Sequence, residues 1–464
     1  MPEATIDTGN TAWLLVSTAL VLLMTPGLAL FYGGLNRSKG VLNMMMMSFS
    51  TIGLVSILWL FYGFSASFGT DSLGGFIGNL GDYMGSKTYT DLFWGATDEN
   101  PSGIGIPTYV FMVFQMTFAV ITVALISGAI ADRAKFAGWL LFAFGWATLV
   151  YFPVAHNVWG GGWIFQKLHP LDFAGGTAVH INAGAAALGV ALVLGKRIGW
   201  PRESMKPHNV PFVALGAGLL WFGWFGFNAG SELTVDGVTG LAFVNTQVAT
   251  AAAVLGWVIV EWIRDRKPTL VGASSGAIAG LVAITPACGF IDSWAAVLLG
   301  LAAGIVCALA VSLKYRFGFD DSLDVVGVHF VGGWLGSLAL GFFANSDINS
   351  AITDVVGAKD GLFFGGGAAQ LGAQAGASAI VTVYSFAIAF VLAFIIEKTI
   401  GFRVSAEAEV EGIDISEHAE SGYDLHNPGG GGGSTSAFAM AGIGGGASAP
   451  AAPAAPAPVE KVVG

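Results

Sequence analysis

Two histidines stand in stretches of sequence that are otherwise suited to a lipid bilayer. His180 follows Asp172 by eight residues in DFAGGTAVHINAGAAALGVALVLG, and His329 follows Asp324 by five in DVVGVHFVGGWLG. An ionisable side chain inside a bilayer costs several kcal/mol unless it is paired or faces a cavity, so such residues usually mark functional sites. Because a neutral imidazole has one donor and one acceptor nitrogen, two of them can share one proton and form the polar stripe of a dry pore.

Two other interpretations compete with a pore. A single histidine in an apolar helix is more often a packing residue, although two at corresponding places favour a shared function. A metal site is less favoured, because no third soft or carboxylate ligand lies near them in the sequence. Cys288 and Cys307 lie in or near apolar segments, which predicts neither a disulfide framework nor a cysteine-based metal site. We find no nucleophile with its base and no phosphate loop, so we expect neither enzyme activity nor a cofactor.

The composition is that of a membrane protein. Of the 464 residues, 54% are hydrophobic and 11% are charged, whereas a soluble domain carries about 25% charged residues. The 68 glycines suit transmembrane helices, which pack closely through small residues. The first residues are acidic and lack the basic region of a signal peptide. The net charge of −11 does not favour a nucleic-acid partner, which would require basic patches.

Apolar runs of about 17 to 25 residues predict eleven membrane-spanning helices. They lie near 12–34, 41–65, 108–131, 137–154, 176–195, 209–229, 240–262, 269–288, 292–313, 326–344 and 374–397. With the N-terminus outside, only Lys87, Lys167 and Lys359 of the 19 Lys and Arg residues are external. Because cytoplasmic loops are rich in Lys and Arg, we expect an external N-terminus and a cytoplasmic C-terminus in a multi-pass protein of the cell (plasma or inner) membrane.

The first ten segments divide into two halves of five, about 12–195 and 209–344, and each half ends in a segment with one histidine. Since five is odd, the halves have opposite topologies, as in transporters that are built from inverted repeats and bind substrate near the bilayer midplane. We therefore predict an all-α polytopic membrane protein with two inverted five-helix halves, an eleventh helix near 374–397 and a pore through each protomer.

Three regions of different composition follow one another along the chain. The membrane domain is expected over residues 1–400, and a polar cytoplasmic regulatory tail over 401–427. Residues 428–464 are rich in Gly, Ala and Pro, a linker composition that predicts disorder. The external loop 66–107 is glycine-rich and acidic, so we expect it to be solvated and without fixed structure.

Six stretches of the chain carry a family resemblance. They are TPGLALFYGG (25–34), FQMTFAVITVALISGAIADR (114–133), DFAGGTAVHINAGAAAL (172–188), WFGWFGFNAGS (221–231), ITPACGF (284–290) and DVVGVHFVGGWLG (324–336). In this order, over residues 10 to 425, they closely resemble the ammonium transporter family of Amt, Mep and Rh proteins. The tail GFRVSAEAEVEGIDISEHAESGYD (401–424) and the serine of FNAGS resemble the Amt branch.

The resemblance implies a homotrimer in which each protomer has its own pore. Carried over motif by motif, Trp159, Phe118 and Ser231 form an outer recruitment site for the cation. Phe118 and Phe227 form a stacked gate below that site, with Phe114 one helical turn before Phe118. Core packing alone would also place Phe114 and Phe118 on one helical face, and Ser231 could equally cap a helix end.

Beyond the gate, the resemblance places Trp224 along the pore beside the twin histidines His180 and His329. Asp172 supports the site, and we expect its carboxylate to engage backbone groups of its own GGT turn rather than the substrate. Other tryptophans, such as Trp94, are expected to be packing or interface anchors without a place in the pore; the same applies to Trp13 and Trp262.

The implied substrates are ammonium and methylammonium. An aromatic face attracts a cation by about 0.5–2 kcal/mol, but this does not distinguish ammonium from potassium. Selectivity would come from removing a proton, because ammonia then crosses the apolar gate without the cost of a bare ion. Two alternatives remain: an ammonium sensor or transceptor, and a neutral-gas channel of the Rh type.

The resemblance also implies a regulatory partner. Amt-type proteins are commonly shut by a PII-type nitrogen-signalling protein at the cytoplasmic face. The tail 401–424 and the basic loops Lys196–Arg202 and Arg264–Lys267 would offer a docking surface. The positive-inside rule explains the basic loops equally well.

Overall fold

The computed structural model describes residues 5–85, 93–97 and 100–423. The segment predicted to be disordered, 428–464, lies outside the described residues, as do residues 424–427 of the predicted cytoplasmic tail.

Among the described residues, ten helices are long and apolar enough to cross a membrane, and one shorter apolar helix accompanies them. In chain order they are α1 Thr8–Leu35, α2 Val41–Phe68, α3 Thr108–Ile130, α4 Phe136–Leu168, α5 Gly176–Leu194, α6 Val210–Glu232, α7 Gly237–Asp265, α8 Leu270–Ile284, α9 Ser293–Phe317, α10 Val326–Phe343 and α11 Ala369–Thr399. Each of them overlaps one predicted segment, so the all-α membrane architecture is confirmed. The shorter one, α8, has 15 residues and rises about 22 Å.

The chain contains both π-helical and 3-10 segments. The π-helical segments are Trp59–Gly63, Ala147–Tyr151, Gly176–Ile181 and Val326–Phe330. The 3-10 segments are Ser127–Ile130, Gly230–Glu232 and Leu362–Phe364, and a short helix Ala351–Asp354 lies between α10 and α11.

The fourth helix extends beyond its predicted end at residue 154. It continues to Val158, bends at residues 159–162 and resumes as Trp163–Leu168. The buried side chain of Asn157 donates hydrogen bonds to the carbonyl oxygens of Phe76 and Pro153, both at 2.8 Å. Because a satisfied polar side chain can be buried at little cost, the helix continues where hydropathy alone predicts its end.

Small residues let corresponding helices of the two halves cross closely. A Cβ atom added at Gly216 of α6 would lie 2.7 Å from the carbonyl oxygen of Gly27 in α1. A Cβ added at Gly184 of α5 would lie 2.5 Å from the Cβ of Phe330 in α10. Glycine is therefore needed at these crossings, and the second crossing brings the two histidine-bearing helices together.

The loop 66–107, which is predicted to be external, has more structure than its composition predicts. It contains an antiparallel hairpin, β1 Asp71–Ser72 and β2 Ile77–Gly78. The carboxylate of Asp71 lies 3.0 Å from Nε2 of the buried His156 in α4 and also accepts a hydrogen bond from Gln166. The expectation of a loop without fixed structure is wrong for its described part, because long-range partners hold the hairpin in place.

The first part of the tail that is predicted to be cytoplasmic packs onto the membrane helices. It contains two short helices, α12 Ala406–Glu411 and α13 Ile413–His418. The chain up to Gly422 belongs to one compact unit with α1 to α11. Residues 134 and 403 form a β-bridge that ties the tail to the loop between α3 and α4.

Charged side chains of this tail satisfy the ends of three membrane helices. The carboxylate of Asp414 accepts hydrogen bonds from two backbone amides in the first turn of α2, at 3.0 and 2.8 Å. Glu417 accepts one from the amide of Phe136 at the start of α4, at 2.9 Å. Arg403 donates to the carbonyl oxygen of Leu194 at the end of α5, at 2.7 Å. Each charge has the sign that the helix dipole favours at that end.

Candidate functional site

His180 and His329 lie side by side, one from each half of the chain. Their Nδ1 atoms are 3.2 Å apart, and both side chains are buried. Each belongs to a π-helical segment, Gly176–Ile181 in α5 and Val326–Phe330 in α10. Such wide turns occur frequently at functional sites. The structure therefore brings together the two ionisable residues that the sequence singled out.

A glycine of α10 makes this proximity possible. A Cβ atom added at Gly333 would lie 3.1 Å from the Cβ of His180 and 3.0 Å from the carbonyl oxygen of Gly176. These distances are shorter than ordinary contacts, so a side chain at residue 333 would require its neighbours in α5 to shift by a few tenths of an ångström. The separation of the imidazoles thus depends on the absence of a side chain at residue 333.

A small cavity of about 10 Å³ lies against the two imidazoles. By this measure, about 10–15 Å³ is the room that one water molecule needs. Trp224 lines the cavity, stacks on His180 with ring centroids 5.4 Å apart, and donates from Nε1 to the hydroxyl of Thr285 at 2.8 Å. Within the described part of the chain, Nε2 of His180 is buried without a hydrogen-bond partner. The residue itself lines the cavity.

Stacked phenyl rings separate this small cavity from a larger one. The ring centroids of Phe118 in α3 and Phe227 in α6 are 4.2 Å apart at an interplanar angle of 30°. Phe114 contacts Phe118 edge-on, with centroids 4.9 Å apart. Phe227 lines the small cavity and Phe118 lines the larger one. Phe118 and Phe227 therefore lie between the two cavities, and Phe114 packs against Phe118.

The larger, outer cavity has a volume of about 200 Å³ and is lined by Trp159, Phe118 and Ser231. The ring of Trp159 meets that of Phe118 edge-on at 6.1 Å, and its Nε1 donates to the backbone oxygen of Asp172 at 2.9 Å. The Ser231 hydroxyl donates to the backbone oxygen of Phe227 at 2.7 Å. Because its proton is used in that bond, the Ser231 oxygen can accept a hydrogen bond from a ligand.

The carboxylate of Asp172 caps the N-terminus of α5. It accepts four backbone hydrogen bonds of 2.6 to 3.0 Å, from Gly175, Gly176, Thr177 and Ala178. Both oxygens of the carboxylate are therefore bonded to the turn that begins α5, the helix that carries His180. The expected engagement of Asp172 with backbone groups of its own turn is therefore present.

In the second half, the equivalent position belongs to Asp321 and not to Asp324, which the sequence motif paired with His329. The Asp321 carboxylate accepts hydrogen bonds from two backbone amides at the start of α10, at 3.1 and 2.7 Å. Asp324 instead forms an ion pair with Lys314 at 2.7 Å. Asp321 precedes His329 by eight residues, and Asp172 precedes His180 by the same number. This equal spacing could have identified Asp321 from the sequence.

A buried ion cluster joins the loop after α5 to the loop before α10. The Arg197 guanidinium donates two hydrogen bonds to the carboxylate of Asp320, at 3.0 and 2.9 Å. Asp132 pairs with Arg37 at 2.6 Å. Burial alone would raise the pKa of Asp320, but the hydrogen bond from Arg197 and the charge of Arg133 hold this pKa below its ordinary value. The loop before α10 is thus fixed to the loop after α5.

Six residues that line the outer cavity were not predicted from the sequence: Phe68, Trp94, Phe111, Gln115, Phe173 and Leu233. Trp94, which was expected to serve only as an anchor, lines the same cavity as Trp159, and so does Gln115. No local pattern marks Trp94, because its position depends on how the external loop folds back. Trp262 fits the anchor expectation, since its side chain is 60% exposed.

Comparisons with known proteins agree with this arrangement. The family model described as Ammonium Transporter Family matches residues 12–423. An ammonium transporter of Mycobacterium tuberculosis (strain ATCC 25618 / H37Rv) is 57% identical over 435 residues, which cover 90% of this chain and 91% of that protein. The crystal structure of Saccharomyces cerevisiae Mep2 matches with a TM-score of 0.77 and 34% identity, covering 87% of this chain and 89% of that one.

A solved Sensor Amt Protein matches with a TM-score of 0.78 and 29% identity, covering 88% of this chain and 98% of that one. The family match spans both histidine-bearing helices, the phenylalanine stack and the tail up to residue 423. This chain belongs to the ammonium transporter family.

Proposed function

We propose that this protein carries ammonium into the cell by recruiting the ion, removing its proton and passing ammonia along the pore. The observation that carries the proposal is the pair of imidazoles, 3.2 Å apart, beside a cavity of about 10 Å³. A space of that size holds one molecule as small as water. A bare cation in this cavity would lack most of the polar partners that must replace its hydration shell. Neutral ammonia requires far fewer hydrogen-bond partners.

Recruitment takes place in the outer cavity. The rings of Trp159 and Phe118 attract a cation through their π faces, each by about 0.5–2 kcal/mol. The Ser231 oxygen, whose proton is used by the backbone of Phe227, accepts one N–H of ammonium. The hydrogen bond from Trp159 to the backbone of Asp172 fixes the indole relative to α5. These contacts concentrate ammonium outside the Phe118–Phe227 gate.

The chemical step is a proton transfer without other bond changes. One N–H bond of ammonium breaks and its electron pair stays on nitrogen, while a water molecule in the outer cavity accepts the proton. The proton then crosses the membrane separately from the ammonia that is formed. Potassium has no proton to lose, so it must pass the phenyl stack as an ion or not at all. The gate therefore discriminates by proton removal rather than by size.

The histidine pair then offers two different polar atoms to ammonia. If both rings are neutral, one Nδ1 donates a proton to the other Nδ1 across the 3.2 Å contact. The donating ring keeps an acceptor at Nε2, and the accepting ring keeps a donor there. Ammonia can both accept and donate a hydrogen bond, so it can move from one Nε2 atom to the other. Neither ring has to change its tautomer during this transfer.

The test uses proteoliposomes with the full chain. We expect uptake of labelled methylammonium that ammonium competes away, together with an inward current in solid-supported-membrane recordings when ammonium is added. Uptake without any current would indicate a neutral-gas channel of the Rh type instead. Potassium conduction equal to that of ammonium would contradict proton removal.

A second candidate function is ammonium sensing, which the similarity to the solved Sensor Amt Protein favours. A sensor needs ammonium binding and a conformational response but no sustained flux. Saturable binding of ammonium to the purified protein without methylammonium uptake into proteoliposomes would support sensing over transport.

The proposal includes a homotrimer in the cell membrane, with an external N-terminus and a cytoplasmic tail. Native mass spectrometry of the detergent-solubilised protein tests the trimer. Modification of single introduced cysteines by an impermeant thiol reagent, in a variant without Cys288 and Cys307, tests the orientation. A monomer, or labelling of the tail from outside intact cells, would overturn these parts.

The proposal also includes docking of a PII-type protein on the tail. Val410 and Ile415 are 61% and 49% exposed on the short tail helices, while nearby charged groups are engaged with the membrane helices. We expect Val410→Asp together with Ile415→Asp to weaken binding of the cell's own PII protein in a pull-down. Equal binding by wild type and double variant would exclude this surface.

A further inference from the structure

The short helix α8 ends beside three helices that carry pore residues. Its last residue is Ile284, and Thr285 and Pro286 follow. Because proline has no backbone N–H and a fixed φ, it interrupts a regular helix. The described residues that line the inner cavity, the space of about 10 Å³ beside the histidines, do not include Thr285 or Pro286. The transport mechanism proposed above uses neither residue, although both contact the helices around that cavity.

The hydroxyl of Thr285 connects α8 to Trp224 in α6. Its Oγ1 donates its proton to the carbonyl oxygen of Leu281, one turn earlier in α8, at 2.7 Å. A hydroxyl oxygen keeps acceptor lone pairs when its proton is used, and this one accepts a hydrogen bond from Nε1 of Trp224 at 2.8 Å. Both side chains are buried. Since an indole has a single polar donor, the bond fixes the direction in which the ring lies.

The position of this indole determines the shape of the inner cavity. Trp224 lines the cavity and stacks on His180, with ring centroids 5.4 Å apart at an interplanar angle of 22°. It also contacts the gate residue Phe227, at 5.4 Å between centroids. A rotation of the indole would therefore change the space beside the imidazole. The bond to Thr285 opposes this rotation, because the buried N–H would lose its acceptor.

The next residue, Pro286, packs α8 against both histidine-bearing helices. Its carbonyl oxygen accepts a hydrogen bond from the amide of Phe173, in the turn before α5, at 3.0 Å. A Cβ atom added at Gly176 of α5 would lie 2.5 Å from the Cβ of Pro286, and one added at Gly336 of α10 would lie 2.9 Å from its Cγ. The hydroxyl of the preceding residue is therefore held in a fixed position relative to α5 and α10.

We propose that Thr285 is a positioning residue that sets the selectivity of the inner cavity through Trp224. Its hydroxyl holds the indole against His180, and the position of the indole determines how large a molecule passes the imidazoles. Thr285 does this without touching the transported molecule. The inference rests on the proposed function, because it assigns a further residue to the passage of ammonia along the pore.

The experiment compares Thr285→Val with Thr250→Val in proteoliposomes. Valine has almost the shape of threonine but lacks the hydroxyl, so Thr285→Val removes the acceptor of Trp224 and little else. Thr250 in α7 is also buried. Among the described residues, its hydroxyl bonds only to the carbonyl oxygen of Thr246, at 2.6 Å. Thr250→Val is therefore the matched control, which loses a bond within its helix but no bond to an indole.

The measured quantity is the rate of labelled dimethylammonium uptake divided by that of labelled methylammonium. We expect Thr285→Val to raise this ratio by about five-fold, the equivalent of about 1 kcal/mol and thus of one hydrogen bond. Thr285→Ser, which keeps the hydroxyl, and Thr250→Val should stay within about two-fold of wild type. An unchanged ratio in Thr285→Val, or a loss of both uptakes that Thr285→Ser shares, would overturn the role in selectivity.

Nuclear magnetic resonance tests the hydrogen bond itself. The chain has 14 tryptophans, and Trp224→Phe identifies the resonance of Trp224 in protein that is isotope-labelled at the indole nitrogens. We expect Thr285→Val to move the indole proton resonance of Trp224 upfield, because the N–H loses its acceptor. Thr285→Ser and Thr250→Val should leave it in place. A resonance that Thr285→Val does not move would contradict the positioning role.

A double-mutant cycle shows whether Thr285 acts through the indole. In the Trp224→Phe background no indole N–H is present, so we expect Thr285→Val to cause no further change in the uptake ratio or in thermal stability. An equal effect of Thr285→Val in both backgrounds would overturn the inference.

The outcomes separate this inference from the proposed function. Normal methylammonium uptake by the wild type, with an uptake ratio and a Trp224 resonance that Thr285→Val leaves unchanged, would overturn the inference and leave the function standing. Absence of methylammonium uptake by the wild type would overturn the function. The resonance of Trp224 would then still decide whether Thr285 positions the indole.

Discussion

Asp172 and Asp321 occupy equivalent positions, each eight residues before a pore histidine and each with its carboxylate on the backbone amides that begin the histidine helix. A negative charge at a helix N-terminus satisfies amides that lack intrahelical partners and is favoured by the helix dipole. The two inverted halves thus position their histidines in the same way. They differ in extent, because Asp172 accepts four such hydrogen bonds and Asp321 two.

Removing the first of these carboxylates should abolish transport. We expect Asp172→Ala to lose methylammonium uptake and to destabilise the protein by at least the 0.5–2 kcal/mol that a helix cap contributes, since four amides lose their acceptor. Asp172→Glu should keep part of the activity, because it retains the charge. Uptake assays and thermal unfolding of the detergent-solubilised protein measure the two effects.

Asp321→Ala is the informative comparison, with a smaller expected loss of stability because only two amides are released. Asp354→Ala, at an exposed residue between α10 and α11, serves as the control. Full uptake by Asp172→Ala would show that the cap is dispensable for the pore.

The histidine pair should determine selectivity more than folding. We expect His180→Ala and His329→Ala each to reduce methylammonium uptake by about ten-fold or more, equivalent to about 1.4 kcal/mol, or to admit potassium. The reason is that either change removes one of the two polar groups at the inner cavity and enlarges it. Uptake and potassium flux in proteoliposomes measure the outcome, with His169→Ala as a control outside the pore. Normal uptake with potassium still excluded would contradict the assigned role.

A single methyl group should separate the histidines. We expect Gly333→Ala to impair uptake strongly while the protein still folds, because the added Cβ would lie 3.1 Å from the Cβ of His180. Gly372→Ala on α11 is the matched control, since a Cβ there meets nothing within 4 Å. Both substitutions raise helix propensity equally. If the two variants transport alike, the spacing of α5 and α10 does not limit the pore.

The buried pair of Arg197 and Asp320 should make the loops after α5 and before α10 sensitive to acid. Because the folded pKa of Asp320 is lower than the ordinary value of 3.8, its contribution to stability is complete above pH 3.8 and is lost as the pH falls through the folded pKa. We expect Asp320→Asn to cost about 3 kcal/mol at neutral pH, as for a broken buried ion pair.

Thermal unfolding of the solubilised protein at pH 7, 5, 4 and 3 measures this contribution. The difference between wild type and Asp320→Asn should be constant from pH 7 to 5 and shrink below pH 4. Asp265→Asn, at an exposed residue at the end of α7, should behave as wild type throughout. A difference that grows on acidification would have the wrong sign for this pair.

Hydropathy locates the membrane helices because lipid contact requires long apolar surfaces, but it fails where polar residues are satisfied by distant partners. The predicted end of the fourth segment at 154 is wrong because His156 and Asn157 are buried with partners in the external hairpin. The hairpin itself was missed for the same reason. Its anchors lie some 85 residues away along the chain, beyond the range of local propensity.

The site was predictable where a rare residue type stands in an apolar helix, as for His180 and His329. Spacing was less reliable: three acidic residues, Asp320, Asp321 and Asp324, precede the second histidine, and only geometry shows which of them caps the helix. Trp94 carries no signal at all, because an aromatic residue in a polar loop is ordinary until the loop is folded onto the cavity.

The tail that reaches back to α2, α4 and α5 changes what a deletion can reveal. A chain that stops at residue 400 would lack Asp414 and Glu417, so the backbone amides at the starts of α2 and α4 would lose their hydrogen-bond acceptors. A loss of regulation in such a chain could therefore result either from a missing docking surface or from destabilised helix ends. Substitutions at the solvent-facing Val410 and Ile415 spare those anchors. Such substitutions can therefore show whether the tail binds a regulatory partner or only stabilises the helix bundle.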